Sequence, residues 1–234
     1  MKIKPSIKLL QSQGLGSRAQ CEFIFENSEI IRNGTRLDPE TDEIKMGDIL
    51  EIDGEVIKTA PFLYLMMNKP VGFEISHKPS MHQSVFTLLP TRMMNRNVQA
   101  AGRLDNDTSG ALVFSDDGQF IHRLISGKKG KKFEIEKIYI IETAEPVTER
   151  QIADLLAGVA LHDEPELVAA SQAWLREDGK LVMGINTGKY HQVRRMIAAA
   201  GNHVTGLHRQ SVGPYTLPAD LPEGSYIEID PSLL

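Results

Sequence analysis

The sequence predicts an α+β fold with two domains. Two short helical segments, 6–13 and 17–26, precede an Asn33-Gly34 dipeptide of the kind that closes a tight β-hairpin. The composition then changes at Pro61, where proline ends the strand pattern. Beyond it, the strand-like and helix-like segments predict one larger α+β domain. We therefore expect a small domain over 1–58, a linker over 59–62 and a larger domain over 63–234.

Each element of this scheme has a local signal. Ser17 precedes the second helix and can cap it, because its hydroxyl accepts a hydrogen bond from a free backbone N–H. The segment 190–200 carries apolar residues at helical spacing and ends at Gly201. Alternation over 137–143 indicates a strand. The remaining predicted strands are 45–52, 63–67, 111–115, 170–176, 180–186, 203–209 and 226–229, and the remaining predicted helices are 120–125 and 148–156.

Composition argues against several classes of protein. The chain of 234 residues is 41% hydrophobic, which is enough to bury a sizeable core. It has one cysteine, Cys21, so it cannot form an internal disulfide or a cysteine-rich metal site. Such a low cysteine count is typical of proteins in a reducing compartment. No apolar run has the length of a membrane span, and we expect no signal peptide. We therefore expect a cytoplasmic, monomeric protein without a membrane partner.

Charge is segregated along the chain. The net charge is −5, which by itself argues against a nucleic-acid partner. However, residues 1–21 and 189–209 each hold four Lys or Arg and no acidic residue, and residues 122–139 hold six basic residues against two acidic ones. A single basic run is usually only a solvated surface. Three such segments can form a basic face that attracts phosphate backbones, so the distribution favours a nucleic-acid partner.

Two polar segments are candidates for a chemical site. The first, 102–110, places Arg103, Asp105 and Asp107 between two glycines and immediately before a strand. Alone it predicts only a turn, because Asp and Asn side chains often bond to nearby backbone groups. The second segment, 188–196, opens a basic helix, and a strand that reaches Arg209 follows it.

These segments resemble motifs of the pseudouridine synthases, and in particular of the RsuA-type family. The first 58 residues are similar to the RNA-binding domain shared with ribosomal protein S4. The resemblance implies a catalytic domain built on a mixed, mostly antiparallel sheet with flanking helices. The matching motifs are Arg103-Leu104-Asp105 for the catalytic loop, Lys137-Ile138-Tyr139 for the Lys-x-Tyr strand, and 188–196 with Leu207 and Arg209 for the third motif.

The resemblance also implies a reaction and residue roles. Pseudouridine formation breaks the C1′–N1 bond of uridine, rotates the base and joins C5 to C1′, so it needs no cofactor and no metal. Asp105 is the implied catalytic carboxylate, whether it attacks the sugar or removes a proton. Arg194 is expected beside it to keep it ionised, and Tyr139 is expected to stack on the flipped base. The residues expected to bind substrate are Arg18, Arg103, Lys137, Arg195, Leu207 and Arg209.

The substrate has more than one interpretation. The resemblance points to 16S ribosomal RNA at uridine 516, either free or in an assembly intermediate. A paralogue acting on 23S ribosomal RNA and a non-catalytic, rRNA-binding assembly factor remain open. Other chemistries fit less well, because the histidines at 191, 203 and 208 lack zinc-site spacing. Asp105 and Asp107 are also too close in sequence to flank a bond as glycosidase carboxylates do.

Overall fold

The computed structural model describes residues 4–126 and 135–234, so Lys128, Lys129, Lys131 and Lys132 of the second basic segment lie outside the described residues. The chain divides into two compact units. One comprises Met1–Leu63 and Leu89–Gln99, and the other comprises Tyr64–Leu88 and Ala100–Leu234. The change of unit after Leu63 lies next to the predicted linker, whereas the return of 89–99 to the first unit was not foreseen. None of the described helices is long and apolar enough to cross a membrane.

The first unit combines helices with a four-stranded sheet. The predicted cap at Ser17 is confirmed, because its side chain accepts from the Gln20 N–H while the Gln20 side chain accepts from the Ser17 N–H. Asn33 and Gly34 have φ angles of 51° and 81°, as the predicted tight turn requires. The elements are α1 (Pro5–Ser12), α2 (Arg18–Asn27), β1 (Ile30–Arg32), β2 (Thr35–Arg36), β3 (Ile49–Ile52), β4 (Glu55–Lys58) and α3 (Thr91–Asn95), with the sheet order β2-β1-β3-β4.

Residues 89–99 are attached to the first unit by a buried arginine that follows α3. The Arg96 guanidinium donates at 2.8 Å to the side chain of Gln13. It also donates to the backbone carbonyls of Ala60 and Pro61. These bonds join three segments that are distant in sequence. Local sequence patterns therefore cannot predict that residues 89–99 belong to the first unit.

The second unit is built on a nine-stranded sheet. Its strands and helices within the described ranges are β5 (Tyr64–Lys69), β6 (Phe73–Glu74), β7 (Gln83–Ser84), β8 (Gln99–Ala100), β9 (Thr108–Ser115), α4 (Gly118–Ser126), β10 (Lys137–Thr143), α5 (Glu149–Ala157), β11 (Gln172–Leu175), β12 (Leu181–Ile185), α6 (Gln192–Ala199), β13 (Val204–Val212), β14 (Tyr215–Thr216) and β15 (Tyr226–Glu228). Two short 3-10 helices cover Val85–Leu88 and Pro231–Leu233.

The main sheet has the order β11-β12-β10-β13-β9-β5-β15, with β14 added to β13 and β8 to β9, while β6 and β7 form a separate parallel pair. Along this order, β13 and β9 run parallel and the other neighbours run antiparallel. This confirms the expected mixed, mostly antiparallel sheet with flanking helices. Helix α4 buries Phe120 and Leu124 in an apolar core that also contains Met66, Val113 and Tyr215.

Most element boundaries differ from the predicted ones by a few residues, and two of these differences bear on the cavity described below. Strand β9 begins at Thr108, three residues earlier than predicted, because this end pairs with β13 in a register that the sequence does not reveal. Helix α6 begins at Gln192, two residues later than predicted, because His191 adopts a left-handed conformation with φ 46° and ψ 34°. Both differences place residues from strand and helix ends around one cavity.

Candidate active site

A cavity of about 740 Å³ lies in the second unit. It is lined by the loop before β9, by the segment that leads into α6, and by the adjacent strands β10 and β13. This volume is within the usual range of about 300–1,000 Å³ for small-molecule sites. The structure brings seven of the residues singled out in the sequence to this cavity: Arg103, Asp105, Lys137, Tyr139, Arg194, Leu207 and Arg209.

Two other expected substrate-binding residues lie elsewhere. Arg195 does not line the cavity, and its guanidinium donates to the backbone carbonyls of His162 and Tyr190. Arg195 therefore holds the segment in front of α6. Arg18 lies exposed at the start of α2 in the first unit, where it pairs with Glu22 one turn later. Its role in RNA binding stays a prediction.

A buried lysine holds the backbone of the Asp105 loop. Lys69 lies at the end of β5, and its ammonium donates to the carbonyls of Pro70, Asp105 and Thr108 at 2.9, 3.3 and 3.0 Å. The Thr108 N–H also donates to the Asp105 carbonyl at 3.1 Å, which closes a turn. Lys69 is not among the residues predicted from the sequence, although a lysine at the end of an apolar strand and next to proline is a usable signal.

The burial of Lys69 predicts a pH-dependent stability. Burial lowers the pKa of its ammonium from 10.5 to about 8, while the charges of Asp107 and Asp105 act in the opposite direction. Below pH 8 the lysine is protonated in both states, and the folded state bears the full cost of burying the charge. Between pH 8 and 10.5 the unfolded state binds more protons, so the free energy of unfolding rises with pH.

We therefore expect the stability of the wild type relative to Lys69→Met to increase between about pH 7 and about pH 9.5. Urea unfolding of both proteins at the two pH values measures this difference. The comparison with Lys69→Met removes the contributions of the other titrating groups. The same stability difference at both pH values would contradict the prediction.

A second buried cation lies between β13 and the Asp105 loop. Arg209 is 3% exposed, and its Nε donates to the Ala111 carbonyl at 2.8 Å. Its Nη1 lies 3.5 Å from the Arg103 carbonyl, and its Nη2 has no hydrogen-bond partner within the described parts of the chain. Burial, followed by the charge of Arg209, lowers the pKa of Lys137 below its usual value. This part of the cavity is therefore suited to an anionic or strongly polar ligand.

The partners of the two loop carboxylates differ from the expectation. Arg194 Nη2 lies 2.9 Å from Asp107 Oδ1, and His191 Nε2 lies 3.3 Å from Asp105 Oδ1. The expected pair of Arg194 with Asp105 is therefore not formed in this structure. The left-handed turn at His191 brings the imidazole to Asp105, so that Arg194, one turn later, reaches the next carboxylate along the loop. Asp105 is also only partly buried, with 36% of its side chain exposed.

An aromatic and an aliphatic side chain form the apolar part of the cavity. Tyr139 on β10 and Leu207 on β13 are both buried, at 7% exposure, and both line the cavity. Their strands are neighbours in the sheet, with Tyr139 opposite Arg209 and Leu207 opposite Ile141. The cavity thus presents apolar surface from these two residues and charge from Asp105 and Arg209, which suits a planar, partly polar ligand.

Comparison with known proteins gives a consistent result. A profile of the family described as RNA pseudouridylate synthase matches residues 63–199. The chain is 37% identical over 184 residues to the ribosomal small subunit pseudouridine synthase A of Vibrio cholerae, covering 79% of this chain and 78% of that relative. It is 34% identical over 227 residues to the Haemophilus influenzae protein of the same name, covering 96% and 92%. A crystal structure of a pseudouridylate synthase superimposes with a TM-score of 0.66 at 30% identity, covering 97% of this chain and 96% of that one.

Proposed function

Because the chain belongs to the RNA pseudouridylate synthase family, as an isomerase of the RsuA type, we propose that it converts one uridine of small-subunit ribosomal RNA to pseudouridine. The target we propose is uridine 516 of 16S RNA. The observation that carries this proposal is the placement of Asp105, Tyr139 and Arg194 on a single cavity. The similarity to small-subunit enzymes over nearly the whole chain supports the choice of substrate.

The reaction conserves all atoms of the nucleotide. The C1′–N1 bond breaks, the uracil rotates within the cavity, C5 bonds to C1′, and the proton lost from C5 is balanced by one gained at N1. In our proposal, Asp105 acts at the sugar, either as a nucleophile at C1′ or as a base at C2′. No oxidant or reductant takes part, so the proposed reaction needs no redox cofactor.

The remaining cavity residues hold and orient the extruded nucleotide in this proposal. Tyr139 stacks on the uracil, and Leu207 contacts the base from the neighbouring strand. Arg209 and Lys137 supply positive charge that favours the polar edge of the base or its phosphate. Arg103, which is exposed at the cavity, contacts the RNA backbone and helps to offset the few kcal/mol that unstacking a base costs.

We also propose that the first unit is an S4-like RNA-binding domain. Its basic residues Lys4, Lys8 and Arg18 are exposed, and the first 21 residues carry no acidic side chain. Contacts of this kind with phosphate provide affinity without base specificity. In this proposal the protein acts in the cytoplasm as a monomer, on free RNA or on an assembly intermediate.

The substrate can be tested directly on ribosomal RNA. Transcripts of 16S and 23S RNA are incubated with the wild-type protein, labelled with a carbodiimide that marks pseudouridine, and mapped by reverse-transcription stops. We expect one protein-dependent stop in 16S RNA, at uridine 516, and none in 23S RNA. A stop only in 23S RNA would replace the proposed substrate with the large-subunit one. If no modification occurs on either RNA or on ribosomal particles, an assembly factor without catalysis becomes the better interpretation.

A further inference from the structure

We propose that His191 is a positioning residue for Asp105, an inference that rests on the proposed catalytic role of that carboxylate. The His191 Nε2 atom lies 3.3 Å from Asp105 Oδ1. Of the two side chains that reach the carboxylates of this loop, Arg194 is paired with Asp107, so the imidazole is the group that meets Asp105. By interacting with one carboxylate oxygen, His191 restricts rotation of the Asp105 side chain and leaves the other oxygen for the sugar.

The backbone of His191 is held in a conformation that few residues adopt. With φ 46° and ψ 34°, it is left-handed, although it carries a bulky side chain. The next residue anchors this turn: Gln192 is buried, and its side-chain oxygen accepts from the Thr187 hydroxyl at 2.8 Å and the Lys189 N–H at 3.0 Å. The strained turn is therefore imposed by the surrounding structure, which is common where a side chain has to be aimed at a functional site.

The side chain and the loop around it are held as well. The Tyr190 ring stacks on the imidazole, with centroids 3.9 Å apart and planes inclined by 17°. Arg195 donates to the Tyr190 carbonyl, and Lys189 pairs with Glu164. The first contact orients the imidazole, whose Nε2 atom faces Asp105, and the other two hold the segment that carries it.

A purely structural role accounts poorly for these observations. The His191 side chain is 39% exposed, so it contributes little to a core. Its stacking partner, Tyr190, is 78% exposed, and both residues line the cavity. What the left-handed turn and the stack achieve together is the contact with Asp105. Such a contact affects the chemical step, because a carboxylate that is already oriented toward the substrate loses less conformational entropy on reaching the transition state.

Two amide substitutions separate this role from RNA binding. In His191→Asn, the asparagine suits the left-handed backbone, but its side chain is too short to reach Asp105. In His191→Gln, the amide nitrogen of the glutamine extends about as far as the imidazole Nε2 and can donate to the carboxylate. We expect His191→Asn to lower the single-turnover rate at saturating RNA by about 10- to 100-fold, with the RNA dissociation constant within about three-fold of wild type. We expect His191→Gln to recover most of the rate. His162→Gln, at a highly exposed position outside the cavity lining, is the control and should match the wild type.

The outcomes distinguish this inference from the proposed function. If Asp105→Asn keeps full turnover, the role of Asp105 is wrong, whatever the His191 variants do. If Asp105→Asn is inactive but His191→Asn reacts at the wild-type rate, the positioning role is overturned and the proposed function stands. The role is also overturned if the loss appears in RNA affinity instead of rate, or if His191→Gln is no faster than His191→Asn. Circular dichroism and thermal midpoints close to the wild type verify that both variants are folded.

Discussion

Asp105→Asn is expected to abolish detectable pseudouridine formation while RNA binding stays within a few-fold of the wild type. The substitution keeps the size and most of the hydrogen bonding of the side chain but removes its negative charge. An amide can neither attack C1′ nor accept a proton from C2′ at neutral pH. The Lys69 bonds that hold this loop end on backbone carbonyls, so they persist in the variant.

Single-turnover assays with carbodiimide mapping measure the loss, and filter binding measures the affinity. General base catalysis contributes about 100- to 10,000-fold to a rate. A variant whose rate is reduced by a factor in this range therefore indicates that Asp105 acts as a base, whereas no measurable rate favours a nucleophile. Asp107→Asn is the matched control on the same loop. Asp107 is largely exposed and pairs with Arg194, and an asparagine oxygen at this position can still accept from Arg194, so we expect a loss below about ten-fold. Equal losses in both variants would contradict the special role of Asp105.

Gly110→Ala is expected to prevent stable folding of the second unit. Gly110 lies opposite Arg209 in the parallel pair of β9 and β13, and its φ angle is 105°. A Cβ atom at this position would lie 2.3 Å from the Arg209 carbonyl oxygen and 2.7 Å from its nitrogen. Both are backbone atoms within the sheet, so they cannot move aside without breaking the pairing of the strands. We expect a loss of about 4 kcal/mol or more in the free energy of unfolding.

Gly102→Ala is the control that separates this clash from backbone strain. Gly102 begins the same loop with a similar φ of 88°, but a Cβ atom there meets nothing within 4 Å. It should therefore cost only about 1–2 kcal/mol, the usual penalty for a side chain in a left-handed conformation. Urea unfolding and soluble yield compare the two variants. Similar losses for both would show that the close approach to Arg209 is tolerated.

Much of the local structure follows from the sequence, because its causes are local. The cap at Ser17, the turn at Asn33 and Gly34, and the strand 137–143 depend on neighbouring residues, and the structure contains all three. The second half of the chain shows the same agreement, with the helix predicted over 148–156 observed as α5. The motifs around Asp105, Tyr139 and Arg194 occur in the order expected from the family resemblance. The resemblance therefore indicated residues that the structure places on one cavity.

Contacts between distant segments could not be derived in this way. The role of Lys69 depends on the end of β5 lying beside the Asp105 loop, which lies nearly forty residues later in the chain. The attachment of 89–99 to the first unit depends in the same way on Arg96 reaching Gln13. Both require the positions of whole segments, whereas sequence patterns report periodicity and local hydrogen bonding.

The sequence by itself indicated the family, its class of reaction and seven of the nine expected site residues that the structure brings to one cavity. Only the tertiary structure decided which side chain meets which carboxylate there, with His191 at Asp105 and Arg194 at Asp107. The physical reason is that an ion pair depends on separations of a few ångströms between side chains on different elements. A left-handed turn of one residue before α6 is enough to exchange the partners, and no property of the individual residues reveals that turn.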